Sequence, residues 1–222
     1  MQPDSQRAIT LYVDGYFVNQ WDATCMVALE EKQLAYSTSR ALLREGGMAL
    51  GLVERTGIAR VPALQHGDFW LTESLAIVEY LEETFPPPSY PRLLPDDPRA
   101  RARTRQAMMF ARTSGGDLRN ERPWWTCVYP AGPLPPLSRN AERDVRELSD
   151  FVVHLSETGE LAAWSVAHVD LALSLFRAVR AGEVLPPAAR ELVDRTLARG
   201  SVRRYLEHAR PPNPPPRGLA AG

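Results

Sequence analysis

The sequence predicts an α/β lobe followed by an all-α lobe. Three observations carry this expectation. Within residues 1–85, short apolar or aromatic runs alternate with segments of helical period. Prolines then punctuate residues 86–98, at Pro86, Pro87, Pro88, Pro91, Pro95 and Pro98, leaving a stiff stretch poor in backbone donors. Beyond it, residues 99–210 keep an apolar spacing of three and four.

Taken in order, residues 9–13 form an apolar and aromatic run closed by Asp14-Gly15, which reads as a buried strand and a turn. A helix is expected over 22–32, with Ala23, Met26 and Val27 on one face and Asp22 as its N-cap. A second strand follows over 35–41, and a less regular helix over 43–55 stops at Thr56-Gly57. Pro62 has no N–H for a ladder, so the next strand begins there, and Gly67-Asp68 turns it back into Phe69-Trp70-Leu71. Thr72-Glu73-Ser74 opens a helix whose Ile77, Val78, Leu81 and Phe85 cover a broad apolar face.

Past the proline stretch, helices are expected over 99–122, 138–158, 167–181 and 188–209, the last with a break near Gly200. Residues 211–222 are proline-rich with little to bury, and are expected to be a disordered tail.

Composition narrows the function classes. The 222 residues carry 26 Lys and Arg against 27 Asp and Glu, so no overall field steers the chain onto nucleic acid or an anionic membrane. Lys32 is the single lysine. No apolar run approaches the roughly 18 residues of a membrane span, and the first twenty residues lack a leader's apolar core. Cys25 and Cys127 stand alone, with no C-x-x-C, so neither a disulfide framework nor a metal site is expected, and a cytoplasmic setting fits.

The strings Val61-Pro62-Ala63-Leu64, Leu71-Thr72-Glu73-Ser74 and Ala76-Ile77-Val78-Glu79-Tyr80-Leu81 resemble, in order and spacing, the glutathione-site block of the glutathione S-transferase family. Arg101-Ala102-Arg103 and Asn120-Glu121-Arg122-Pro123 are similar to a bacterial cytosolic subgroup, so the likeness runs along nearly the whole chain. It implies a thioredoxin-like first lobe (1–85), a linker (86–98), a helical second lobe (99–210) and a homodimer, with glutathione as co-substrate and no metal. It also implies a cis Val61-Pro62 bond whose backbone pairs with the cysteinyl main chain of glutathione.

The chemistry of that ligand can be matched to residues. Glu73 accepts from its γ-glutamyl ammonium, and Ser74 with its N–H, in the first turn of a helix, suits the neighbouring carboxylate. The plain alternative is that Thr72, Glu73 and Ser74 merely cap the helix. Arg60 offers a planar fork for the glycine carboxylate, or is a solvated loop arginine.

The thiol ionises near pKa ~8.5 and needs help at neutral pH. In the resembling subgroup a Ser, usually followed by Pro, supplies it; here that position reads Asn19-Gln20. The Asn19 amide can donate to a thiolate but cannot form a mixed disulfide, and its other reading is a turn or N-cap residue. Tyr16 is the second candidate, its phenol a donor, with packing as its alternative. Cys25 lies inside the first helix, where a buried thiol is inert. Ser165-Val166-Ala167-His168 replaces the family's Ser/Thr-x-x-Asp capping box and is expected to cap more weakly, with Trp164 and Val169 as a staple.

The second substrate is expected between the lobes, against Phe110, Arg112, Trp124, Trp125 and Tyr129, most such aromatics being core. The function implied is a glutathione transferase acting on a small electrophile in detoxification. A glutathione-dependent peroxidase, disulfide reductase or isomerase fits the same site. A non-catalytic binding or regulatory protein is the rival, favoured by the missing Ser-Pro.

Overall fold

A computed structural model describes residues 8–41, 50–129 and 132–214. The chain forms two compact units, one running to Leu93 and joined by the segment from Glu207, the other Leu94–Leu206.

The first unit is built on four strands, β1 Ile9–Asp14, β2 Ser37–Ala41, β3 Ala63–His66 and β4 Phe69–Thr72. Their order is β2-β1-β3-β4, with β1 parallel to β2 and antiparallel to β3. Leu11 faces Leu64 in that register. The long helices are α1 Gln20–Glu31 and α3 Ser74–Thr84, which pack together; a 3-10 turn at Leu50–Leu52 runs into the short α2 Val53–Thr56 against β4. Residues 42–49, which include most of the helix expected over 43–55, lie outside the described residues.

β1 is not buried on both faces. Ile9, Leu11 and Val13 are in the core, while Thr10 and Tyr12 are half-buried, with Tyr12 packed 5.0 Å from the Trp70 ring. The core continues through Leu29, Leu64, Ile77 and Leu81, all fully buried. Lys32, also fully buried, bonds Glu82 at 2.6 Å and the Phe85 carbonyl at 2.8 Å, while Glu82 accepts the Leu93 N–H at 2.9 Å. The single lysine is thus a buried staple between α1 and α3; such a pair is costly to break from one side, because the remaining charge is left uncompensated.

The expected start of α1 needs correction. Asn19 is its N-cap, its side chain accepting the Trp21 N–H, and Asp22 sits inside the first turn. The carboxylate of Asp22 is drawn instead to the Asp14 N–H at 2.8 Å, and a cap cannot satisfy both.

The second unit is helical: α4 Pro98–Thr113, α5 Gly116–Glu121, α6 Trp125–Val128, α7 Arg139–Glu157, α8 Ala167–Arg180, α9 Pro187–Leu197 and α10 Gly200–Leu206. Asp97 and Ser138 cap α4 and α7 through the N–H groups of Ala100 and Ala141. α8 is the central helix, with Val169, Leu171, Ala172, Leu173 and Leu175 fully buried, and packs against α4, α7 and α9. The single helix expected over 99–122 is broken at Gly115, whose φ of 75° favours glycine and whose missing Cβ would lie 3.2 Å from Leu148 Cδ1. Among the described residues no helix is long and apolar enough to cross a membrane. Of the expected tail, 211–214 carry no regular structure, and 215–222 lie outside the described residues.

Candidate functional site

Asp14, at the end of β1, organises the turn that follows. Its Oδ1 accepts the Tyr16 N–H at 2.9 Å, and its Oδ2 accepts those of Val18 and Asn19 at 2.8 and 2.9 Å. Phe17 within the turn holds a φ of 54°, a region L-residues seldom occupy. The Phe17 ring lies 4.0 Å from His208, and its carbonyl accepts Arg210 Nε at 3.3 Å. This delivers Asn19 to the head of α1 with its side chain buried.

Asn19 then does two things. Its Oδ1 caps α1, and its Nδ2 donates to the Val61 carbonyl at 3.0 Å. Residues 42 positions apart, both selected from the sequence, are therefore in direct contact. Val61 is held in turn by a small apolar cluster with Leu52 and Ala63, against Tyr12, Ala41 and Trp70. The Val61-Pro62 bond is cis, as the resemblance implied. Tyr16 is half-buried beside this turn and Arg60 is exposed next to Val61.

Glu73 and Ser74 stand at the head of α3. Ser74 is buried, and its carbonyl accepts the Cys25 thiol at 3.9 Å. Cys25 is thereby a fully buried packing group. Glu73 is exposed, occupies the N-cap position with φ 67° and ψ 111°, and makes no side-chain capping bond. The plain capping reading of Glu73 finds no support in this geometry, because the residue takes a strained backbone without the bond that capping would return.

In the helical unit the expected lining residues separate. Trp124 is 1% exposed, its indole N–H donating to the Tyr205 hydroxyl at 2.9 Å, and it is a core residue. Arg112 is committed to an ion pair with the fully buried Asp170. Phe110 is half-buried and pairs with Phe151 at 4.6 Å; Trp125 is half-buried and Tyr129 buried. A separate cavity of about 380 Å³ lies between the end of α7, the start of α8 and α9, with Trp164, His168, Arg195 and Arg199 on its wall. None of the residues expected to bind glutathione or the second substrate lines it.

Sequence reasoning passed over Asp14 and misplaced Asp22. The available signal was their setting: two aspartates within a stretch otherwise read as buried, where an unpaired carboxylate is costly.

Residues 21–84 match the model for the glutathione S-transferase N-terminal domain. Among curated proteins the chain is 39% identical over 92 residues to a probable maleylacetoacetate isomerase of Vibrio cholerae, and 38% over 91 residues to the maleylacetoacetate isomerase of Rattus norvegicus. Those matches span 40% of this chain and 41% of each relative. Among solved structures, a glutathione transferase homolog from Burkholderia gl BGR1, with bound glutathione, is 31% identical with a TM-score of 0.71, covering 90% of this chain and 97% of that one. The chain belongs to the glutathione S-transferase family.

A theta class glutathione S-transferase from Xanthomonas axonopodis pv. citri, at 20% identity and a TM-score of 0.71 over 92% of this chain and 99% of that one, shares the fold. As in other glutathione S-transferases, the first unit is thioredoxin-like and the second almost wholly helical.

Proposed function

We propose that the protein binds glutathione and stabilises its thiolate for attack on a small electrophile. Val61 and Pro62 would pair with the cysteinyl main chain, Glu73 would take the α-ammonium, and Ser74 with the α3 N-terminus would take the neighbouring carboxylate. Arg60 would reach the glycine carboxylate. The thiolate would be held by Asn19, with Tyr16 as a second donor. An amide nitrogen carries two hydrogens, so the Asn19 bond to Val61 is compatible with donation to sulfur. Phe110, Arg112 and Trp125 are the candidates for contact with the electrophile. The reading includes a homodimer, by resemblance, which sedimentation would test.

The observation that carries the proposal is the Asn19 Nδ2 to Val61 carbonyl contact at 3.0 Å, which puts the residue proposed to hold the thiolate beside the backbone proposed to pair with glutathione. A titration of the protein with glutathione near neutral pH, following ultraviolet thiolate absorbance against S-methylglutathione, tests it. A saturable signal, reduced about tenfold or more in Asn19→Ala with Tyr16→Phe, is the expected outcome; no saturable change would overturn the reading.

A second reading is an isomerase working on the same site. It is favoured by the curated relatives, both named as maleylacetoacetate isomerases, whose match covers 40% of this chain. Turnover of maleylacetoacetate with catalytic rather than stoichiometric glutathione would select it.

A further inference from the structure

The two aspartates beneath the turn are 2% and 0% exposed, and they are unequally supplied with donors. Asp14 accepts three backbone N–H groups. Asp22 accepts one, from Asp14 itself, through Oδ2, and its buried Oδ1 has no partner. Three N–H donors favour the ionised form of a carboxyl, whereas burial with one donor favours the neutral form. A proton on Asp22 Oδ1 would also turn an orphaned acceptor into a donor.

We propose that Asp22 is held protonated beneath the turn, and that Asp14 and Asp22 together are the positioning device for Asn19 and Tyr16. The inference rests on the proposed glutathione reading only for its link to catalysis. Asp14 acts through its bonds to the Tyr16, Val18 and Asn19 N–H groups, and Asp22 acts by holding the Asp14 N–H and neutralising the repulsion that a second charge would bring.

The surroundings are consistent with this division. Burial and the Asp14 charge both push the Asp22 carboxyl well above the usual carboxylate range, and Asp14 is the source of the electrostatic influences on it. Ionisable groups on neighbouring elements are engaged elsewhere. Tyr12 of β1 donates to Gln65, Cys25 of α1 to the Ser74 carbonyl, and Lys32 at the end of α1 pairs with Glu82 of α3. Tyr80 of α3 bonds His66 of β3, and Arg40 of β2, His208 and Arg210 gather at Phe17.

The test compares wild type, Asp22→Asn and Asp14→Asn in full-length protein. Asn at 22 mimics the neutral acid, keeping an acceptor for the Asp14 N–H without a second charge. The wild type must hold a proton that the unfolded chain releases near the ordinary carboxyl value of about 4, so its stability falls relative to Asp22→Asn as pH rises above that value. The expected result is that the two thermal midpoints converge near pH ~4 and that Asp22→Asn is higher by about 3 °C or more at neutral pH. Parallel curves, or a variant below wild type throughout, would overturn the proton on Asp22.

Amide exchange at Val18 and Asn19 reads the positioning directly. It is expected to quicken about tenfold in Asp14→Asn, with bound glutathione forming its thiolate about one pH unit higher. Unchanged exchange would overturn the positioning role. Should Asp14→Asn fail to fold, exchange in Asp22→Asn, expected to match wild type at neutral pH, serves instead, and quickened exchange there would overturn it. Absence of any glutathione signal in wild type would sink the proposed function while leaving the midpoint and exchange results to decide the pair.

Discussion

Glu73 holds φ 67° and ψ 111° at the head of α3 without capping it, so its side-chain identity costs stability that glycine would not. A left-handed or otherwise strained φ at a non-glycine residue costs of order 1 kcal/mol or more. Glu73→Gly is therefore expected to raise the unfolding free energy by about 1 kcal/mol, read by urea denaturation, while glutathione affinity falls at least tenfold, read by calorimetry. A variant that is both less stable and equally avid would remove Glu73 from the site. The contrast with Ser74 is instructive: its buried carbonyl accepts from Cys25, so its role in the fold and its proposed role toward a carboxylate coexist in one residue.

At the scale of the element, the start of α8 shows how one side chain can replace another within a capping motif. His168 accepts the Ser165 N–H through Nδ1 at 3.2 Å, and its Nε2 lies 3.2 Å from the Leu161 carbonyl. Nδ1 also lies 3.0 Å from the Ser165 carbonyl. The expected weaker box thus retains its backward bond to the residue that opens the turn. Burial holds the His168 pKa below its usual 6.5, with Arg195 and Arg199 adding to the depression and the Leu161 and Ser165 carbonyls opposing it. Between the folded and unfolded values the unfolded chain binds more protons, so the His168 contribution is present above pH 6.5 and is lost as pH falls through the lower folded value. Thermal melts of His168→Gln, which keeps a box-competent side chain without titrating, should therefore fall less steeply than wild type below that pH; coincident slopes would show that the imidazole proton is not linked to folding.

For the whole molecule, the two thiols provide one reporter in each unit. Cys25 is fully buried in the first, and Cys127 in the second is 9% exposed, with burial pushing its pKa up to about 11. Thiolate is the reactive form, so neither should label with an aromatic disulfide reagent at neutral pH in native protein, and each should label as its own unit opens in denaturant. Labelling of Cys127 in native protein at the rate of a free thiol would contradict its packing. The second unit's interior beside it is polar as well as apolar. The buried Arg177, its pKa lowered to about 10 by burial, donates to the Arg122 carbonyl and lies 5.3 Å from the Trp124 ring.

Local pattern alone determined a great deal here. Strand and helix order in the first unit followed from apolar period and from Gly and Pro punctuation, and the residues proposed for glutathione were singled out by a resemblance carried on three strings within residues 61–81. Breaks inside a continuous apolar period were less legible: Gly115 holds a φ of 75°, and its closeness to Leu148 spans 33 positions that no window of sequence contains. The same holds for the site. That Asn19 should be a donor could be read from its position, but its partner, Val61, is brought near by pairing of β1 with β3. Asp22 read as an ordinary cap because helix starts favour aspartate, and only the packed turn shows that its carboxyl is spent on Asp14. Residue type and short-range spacing fix which groups are available, whereas burial and long-range contact fix their partners and their charge, because both are set by segments far apart in the chain.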